Sequence, residues 1–200
     1  MSEGAVHAWL TGLYEANRDR AVDGLMSDLR FADLDRTADA SVLIAVRETE
    51  DRSVVLTQRP TTMRDHPGQV AFPGGKRDEG ETAVEAALRE AEEELDMDRN
   101  AVRVIGMLDR YQTGTGFDIT PVLATIPADL PLEAEPREVE SWFEAPLDLL
   151  MDSAGWQRNS VFWKGAMRDY LERDYSGYRI WGVTAAICHN MALRLGLEAG

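Results

Sequence analysis

Runs of β-branched residues along the chain predict a set of short strands. Residues 41–46 (SVLIAV) and 54–57 (VVLT) are separated by a polar stretch, which predicts two strands joined by a turn. Residues 102–108 and 119–126 predict two further strands, and residues 178–183 predict a last one. The pattern therefore predicts a sheet that draws its strands from most of the chain.

Helical spacing of apolar residues predicts helices in three places. Residues 5–30 mix small, apolar and charged residues at roughly helical spacing and predict one or two helices at the periphery. Residues 82–95 predict a helix in which Thr82 and Glu85 have the spacing of a capping box. A closing helix is expected to run from Thr184, as its N-cap, to about Leu195.

The predicted strands and helices are interspersed, without a repeat, a low-complexity tract or a linker, which is typical of an α/β fold. Two hundred residues, 44% of them apolar, are enough for one sizeable core. We therefore expect one domain over residues 1–200, with residues 1–40 as a peripheral helical segment. Residues 129–164 show no clear pattern. Their large aromatic residues are expected to pack in the core, with stacking on a planar ligand as the alternative: Trp142, Phe143, Trp156, Phe162 and Trp163.

The net charge limits the partners that the protein can have. A formal charge of −15 argues against a nucleic-acid-binding surface, because phosphate backbones are bound mainly by clustered lysine and arginine. If such an acidic protein acts on a phosphorylated substrate, local positive charge must overcome the repulsion. Bound metal ions and a few well-placed arginines would supply that charge.

The cysteine content and the N-terminal sequence indicate the cellular compartment in which the protein works. Cys188 is the single cysteine, so no internal disulfide can form, and in an apolar helix it is expected to be a small buried residue. The first ten residues lack the features of a signal peptide, and no run of 18 apolar residues is present. We expect a cytoplasmic protein that has no membrane partner.

The helix predicted at residues 82–95 is unusually acidic. Glu90, Glu93 and Glu94 share one arc of its surface beside the apolar stripe. Like charges at these spacings destabilise a helix by about 0.2–0.5 kcal/mol per pair, so the arrangement needs a compensating interaction. Three converging carboxylates suit Mg²⁺ or Mn²⁺, whereas a solvated acidic face is the simpler alternative.

A glycine-rich bend, Phe72-Pro73-Gly74-Gly75, leads into this helix. Paired glycines allow the backbone to approach a phosphate group closely. The spacing of a P-loop, GxxxxGK[ST], is absent, which argues against triphosphate binding of that kind. The bend and the acidic helix together therefore favour a metal and phosphate site.

The chain resembles the Nudix box, G-x5-E-x7-R-E-U-x-E-E-x-G-U, in which U is aliphatic. The matching residues are Gly75, Glu81, Arg89, Glu90, Ala91, Glu93 and Glu94. The second glycine of the box is replaced by Asp96, and aspartate is one of the few other residues that tolerate positive φ. The resemblance implies a loop-helix-loop on an α/β/α sandwich with a mixed β-sheet.

The resemblance also implies an activity, the hydrolysis of nucleoside diphosphate derivatives with Mg²⁺ or Mn²⁺. Carried over by position, Glu90 and Glu94 are metal ligands. Glu93 is a third ligand or the residue that orients or deprotonates the attacking water. Arg89 and Glu81 are expected to form a supporting ion pair that positions the helix.

A second motif resembles the coenzyme A pyrophosphatase branch of this family. Its matching residues are Leu56-Thr57-Gln58-Arg59, Arg64, Gly68 and Phe72-Pro73-Gly74-Gly75, while Val55 and Pro60 depart from it. Further likeness extends the match over most of residues 41–195. It implies that coenzyme A is the nucleotide substrate, and that Arg59, Arg64, Gly74 and Gly75 bind its phosphates.

Other functions remain open at this point. The same chemistry could act on ADP-ribose, a dinucleotide or an oxidised nucleoside triphosphate. A Nudix domain that senses a nucleotide without turnover, or an acidic partner-binding module, would need no catalysis. Because Nudix proteins include dimers, a homodimer is also possible.

Overall fold

The structure, a computed structural model, describes residues 4–28, 38–63, 66–163 and 165–197. Its helices are α1 Ala5–Asn17, α2 Ala83–Leu95, α3 Leu147–Met151 and α4 Val183–Leu195. Its strands are β1 Ala38–Arg47, β2 Ser53–Gln58, β3 Val70–Ala71, β4 Gly74–Lys76, β5 Arg103–Met107, β6 Tyr111–Gln112, β7 Phe117–Ile126, β8 Ser141–Pro146, β9 Gln157–Trp163, β10 Ala166–Tyr175 and β11 Tyr178–Trp181.

An eight-stranded mixed sheet forms the middle of the fold. Its main path is β3-β2-β1-β7-β5, while β4 pairs with β1, β6 with β7 and β8 with β2. β1 and β7 run parallel, from Ala38 opposite Phe117 to Arg47 opposite Ile126. A parallel pair of this kind is usually covered on both faces, which accounts for the continuous apolar run in β1.

Alternate residues of β1 enter two separate cores. Leu43 and Ala45 pack with the apolar face of α2, whereas Ile44 and Val46 pack with residues of α1 and α4 on the other side. Burying each Leu or Ile side chain contributes about 1.5–3 kcal/mol. Helices therefore cover both faces of the sheet, and the predicted mixed α/β fold is confirmed.

Both ends of α2 have the structure that the sequence predicts. The Glu85 amide donates to the Thr82 hydroxyl at 3.2 Å, and the Thr82 amide donates to the Glu85 carboxylate at 2.8 Å, which completes the capping box. At the other end, Asp96 has a φ of 51°. This left-handed residue ends the helix where the Nudix box has glycine.

The N-terminal segment is less helical than predicted. α1 ends at Asn17, residues 18–28 contain no regular element, and the last two residues of the predicted segment, 29 and 30, lie outside the described residues. The side-chain amide of Asn190 on α4 bonds to both the N–H and the C=O of Met26. Arg194 of α4 donates to the carbonyl oxygens of Asn17, Arg18 and Arg20. These backbone groups bond to α4 and do not continue the helix.

α4 begins one residue earlier than expected, after Gly182. The predicted N-cap role of Thr184 is wrong, because its hydroxyl donates to the carbonyl of Val70 at 2.8 Å and ties α4 to β3. Cys188 is buried, as predicted, and burial raises the pKa of its thiol to about 12. Within the described ranges, no helix is long and apolar enough to cross a bilayer.

β9, β10 and β11 form a second, three-stranded sheet. The sequence predicts only β11, because β9 is mostly exposed and β10 has one buried residue, so that neither strand shows the alternation that marks a half-buried strand. The expected core position of Phe162 is wrong, since its side chain is 70% exposed. Trp156 is buried as expected, and Trp142 and Phe143 are partly buried against the two cores.

We predict that Thr82→Ala lowers the free energy of unfolding by about 1 kcal/mol, because the Glu85 amide loses its acceptor. Urea denaturation measures the change. Thr82→Ser keeps a hydroxyl at the same position and is the matched control. An equal loss of stability in both variants would show that the cap does not stabilise α2.

Candidate active site

Three carboxylates converge beside the C-terminal half of α2. Oxygens of Glu90, Glu94 and Glu138 all lie within 4.8 Å of one another. Glu90 is half-buried and Glu138 is exposed, whereas Glu94 is only 6% exposed. The group is thus buried at Glu94 and open to solvent at Glu138, which suits a cation that must also contact a substrate.

The glycine-rich bend holds two of these carboxylates. The Gly74 amide donates to Glu94 Oε2 at 3.2 Å. A Cβ atom on Gly75 would lie 2.5 Å from the carboxylate of Glu90, and one on Gly74 would lie 2.3 Å from the carbonyl oxygen of Ser41. A side chain at Gly74 would therefore clash with the backbone of β1, and one at Gly75 would displace the carboxylate of Glu90, so this arrangement of the site requires both glycines.

Glu138 reaches the site because its segment is bonded to the end of α2. The amides of Glu133 and Glu135 donate to the carbonyls of Leu95 and Glu94, both at 2.9 Å. These carbonyls have no partner within the helix, so the incoming segment satisfies them. The sequence does not single out Glu138, because no helical repeat or motif fixes its spacing from Glu94, and the acidic composition of residues 133–140 is the one signal that points to it.

The site is electrostatically strained without a cation. Burial raises the pKa of Glu90, although a hydrogen bond from Arg89 opposes the shift. Burial also raises the pKa of Glu94, to about 8, and the negative charges of Glu90 and Glu138 act in the same direction. A buried, all-oxygen ligand set with mutual repulsion fits a hard divalent cation such as Mg²⁺ or Mn²⁺.

Arg89 donates hydrogen bonds to three carboxylates, those of Glu81, Glu90 and Glu93. Its Nε and Nη2 donate to the two oxygens of Glu81 at 2.9 and 3.1 Å, which is the expected ion pair. This interaction holds the pKa of Glu81 below its usual range. Nη1 of Arg89 donates to Glu90 at 2.9 Å and to Glu93 at 3.0 Å. Glu93 thus faces Arg89 and is not a member of the three-carboxylate group.

Arg59, at the end of β2, lies close enough for its charge to act on Glu94. Its positive charge lowers the pKa of Glu94, although burial outweighs this effect. Its Nε is buried and has no hydrogen-bond partner among the residues that the structure describes. Its backbone amide donates to the carbonyl of Gln69 at 3.0 Å, which fixes the start of the loop. Arg64, the second expected phosphate ligand, lies outside the described residues.

Known proteins resemble the chain over the same region. The model of the NUDIX domain matches residues 37–163. A protein named uncharacterized Nudix hydrolase NudL, from Escherichia coli O7:K1, is 40% identical over 80% of this chain and 83% of its own length. The protein of that name from E. coli K12 is 39% identical over the same shares.

Two solved structures are similar to part of the chain. A C. elegans Ap4A hydrolase in a binary complex is 20% identical, with a TM-score of 0.48, over 56% of this chain and 82% of that chain. The Nudix hydrolase RenU from M. smegmatis is 24% identical, with a TM-score of 0.47, over 57% of this chain and 72% of that chain. On the domain match and the 40% identity to a Nudix hydrolase, the chain belongs to the Nudix family and is a pyrophosphohydrolase.

Proposed function

We propose that this enzyme cleaves the diphosphate of coenzyme A or a derivative, giving adenosine 3′,5′-bisphosphate and 4′-phosphopantetheine. The observation that carries the proposal is Arg59, whose positive charge acts on Glu94 and whose Nε has no hydrogen-bond partner among the described residues. It stands in a stretch, residues 56–75, that resembles the motif of the coenzyme A pyrophosphatase branch. A planar, positively charged guanidinium group beside a candidate metal site suits a diphosphate substrate.

Glu90 and Glu94, with Glu138 as the third carboxylate, would hold Mg²⁺ or Mn²⁺ in this scheme. Such a cation supplies Lewis acidity, which offsets the negative charge of the diphosphate and of the transition state. Arg89 restrains Glu90 through its hydrogen bond. Its ion pair with Glu81 fixes the position of α2 relative to the segment that precedes the helix. These contacts support a preorganised site, in which positioning and electrostatics contribute most of the rate.

Arg59 and Arg64 would bind phosphate oxygens, and the backbone at Gly74 and Gly75 would let the diphosphate approach. The attacking water must lose a proton to a nearby carboxylate. Glu138 suits this role because it is exposed at the open side of the group, whereas Glu93 already accepts from Arg89. We therefore propose that Glu93 positions Arg89, and that Glu138 orients or deprotonates the water.

The first test is a substrate panel with Mg²⁺ or Mn²⁺, and then with chelator. We expect metal-dependent release of adenosine 3′,5′-bisphosphate from coenzyme A, at a kcat/KM above that for ADP-ribose, diadenosine polyphosphates and oxidised nucleoside triphosphates. Preference for one of these other compounds would contradict the substrate proposal. No turnover of any compound would favour a nucleotide sensor.

Removing the charge of Glu94 should change how stability depends on pH. Because the pKa of Glu94 is raised to about 8, its protonation stabilises the metal-free fold at low pH, and this contribution is lost as pH rises from about 4.5 to about 8. Without metal, the free energy of unfolding of wild type relative to Glu94→Gln should therefore fall by up to about 1.4 kcal/mol per pH unit in that window.

Urea denaturation in the presence of chelator, at several pH values between 5 and 9, measures this difference. Adding Mn²⁺ at pH 8 should stabilise the wild type and have little effect on Glu94→Gln. Glu92→Gln changes a carboxylate of the same helix that pairs with Arg99, so it is the matched control. A difference that is independent of pH would argue that Glu94 is not strained in the metal-free protein.

Arg59→Ala should lower kcat/KM for coenzyme A by roughly 10–100-fold, since a hydrogen bond to a charged group is worth about 1.5–3 kcal/mol. Arg59→Lys keeps the charge without the planar fork and should recover part of the loss. Assaying 3′-dephospho-coenzyme A alongside coenzyme A separates two roles. An equal loss on both compounds assigns Arg59 to the diphosphate, and a loss on coenzyme A alone assigns it to the 3′-phosphate.

Arg18→Ala, on α1, is the control for a general effect of removing positive charge. Arg18 pairs with Glu15 and has no contact with the carboxylate group. Wild-type kinetics in Arg59→Ala would contradict a role for this residue in substrate binding.

A further inference from the structure

β9 is the open edge of the second sheet. The strand order is β11-β10-β9, and β9 pairs with β10 in unbroken register, from Gln157 opposite Glu172 to Trp163 opposite Ala166. Within the described ranges, no strand pairs with its other side. Such an edge presents backbone N–H and C=O groups that can pair with another strand.

This edge lacks the features that usually prevent strand addition. β9 contains no proline, lysine or acidic residue, and its register shows no bulge. β5, an edge strand of the main sheet, is protected by α1. The Tyr14 hydroxyl of α1 donates to the backbone carbonyl of Met107 in β5 at 3.2 Å. Among the described residues, α1 thus covers an edge of the main sheet, and no element covers the edge at β9.

Exposed apolar side chains concentrate on the same hairpin. Val161, Phe162 and Met167 are 44%, 70% and 54% exposed, and Phe162 lies opposite Met167 across the strand pair. The hairpin is anchored near its turn, since Arg168 pairs with the buried Asp28 and lies over the ring of Trp163. An anchored hairpin that exposes large apolar groups is typical of an interaction surface.

The charge distribution indicates which partner can approach this surface. The chain carries a net charge of −15, yet residues 157–168 contain no aspartate or glutamate and include Arg158, Lys164 and Arg168. Two copies of an acidic protein repel each other over most of their surfaces. The acidic residues behind this edge, Asp169 and Glu172 of β10, accept hydrogen bonds from Ser160 and Asn159 of β9. β9 and the turn are therefore the part of the hairpin that a second copy can approach without meeting an acidic residue at the edge.

We infer that β9 pairs antiparallel with β9 of a second copy, about a two-fold axis at Ser160, and joins two three-stranded sheets into one of six strands. The sequence of β9 is complementary to itself in this register. Arg158 falls opposite Phe162 of the other copy, and Asn159 falls opposite Val161. Directly opposite residues lie on the same face, so each Phe162 gains a cation–π contact with an arginine.

The size of the contact sets its strength. Pairing through seven residues and a few apolar side chains buries less than the roughly 1,200–2,000 Å² of a standard stable interface. The dimer is therefore in reversible equilibrium with the monomer, with a dissociation constant in the micromolar range. It is a property of the outer sheet and does not depend on which diphosphate the enzyme cleaves.

Sedimentation equilibrium of the full chain, from about 1 to 200 µM, tests the association. We expect a monomer–dimer equilibrium, and we expect Phe162→Ala to raise the dissociation constant at least tenfold. Because Phe162 is exposed, this variant should keep its fold and its hydrolase activity. A monomer throughout the range, or a dimer that the substitution does not weaken, would overturn the inference.

Disulfide trapping tests the register. Ser160→Cys places one thiol from each copy at the axis, where opposite Cα atoms lie about 4.5–5.5 Å apart, within the range of a disulfide. Copper–phenanthroline with oxygen should then give a covalent dimer. Gln157→Cys is the control, because two residues at this position would lie at opposite ends of the paired strands.

The native Cys188 is buried and should not react. Cross-linking of Ser160→Cys together with little cross-linking of Gln157→Cys supports the two-fold pairing. Equal cross-linking of both variants, or of neither, would contradict it.

Discussion

The burial of the Glu94 carboxylate beside Glu90 and Glu138 is the constraint on which the rest of the site depends. Removing charged groups from water costs several kcal/mol for each ion, and like charges add to that cost. The raised pKa of Glu94, about 8, is a direct expression of this strain. Such an arrangement persists only if the surrounding structure holds it, and a divalent cation turns the repulsion into attraction.

Three features of the fold hold the carboxylates in place. The capping box at Thr82 starts α2 at a fixed position, and Gly75 passes so close to Glu90 that a side chain there would displace its carboxylate. The backbone of residues 133–135 completes the hydrogen bonds at the end of α2 and so delivers Glu138. α2, the glycine-rich bend at residues 72–75 and the segment of residues 133–138 thus meet at the three carboxylates.

The positive charges around the site have separate roles. Arg89 is fully engaged with Glu81, Glu90 and Glu93, so its charge serves the structure of the site. Arg59 acts on Glu94 through its charge, and its Nε has no hydrogen-bond partner within the part of the chain that the structure describes. In a protein of net charge −15, an anionic substrate depends on such local charges and on the cation.

The sequence predicts the parts of the molecule that local patterns determine. The capping box at Thr82, the left-handed Asp96 and the Arg89–Glu81 pair follow from spacing within one helix and its motif. Glu138 and the contact of Thr184 with Val70 arise from tertiary packing, which no local pattern encodes. The exposure of Phe162 was missed for a related reason, because a solvated hairpin does not show the alternation of a half-buried strand.

Titration of the protein with Mn²⁺, followed by the electron paramagnetic resonance signal of free Mn²⁺, tests the central claim most directly. The account predicts a site in the wild type that Glu94→Gln abolishes, Glu138→Gln weakens and Glu93→Gln largely retains. Unchanged Mn²⁺ binding in Glu94→Gln would contradict the claim that these three carboxylates hold the catalytic cation.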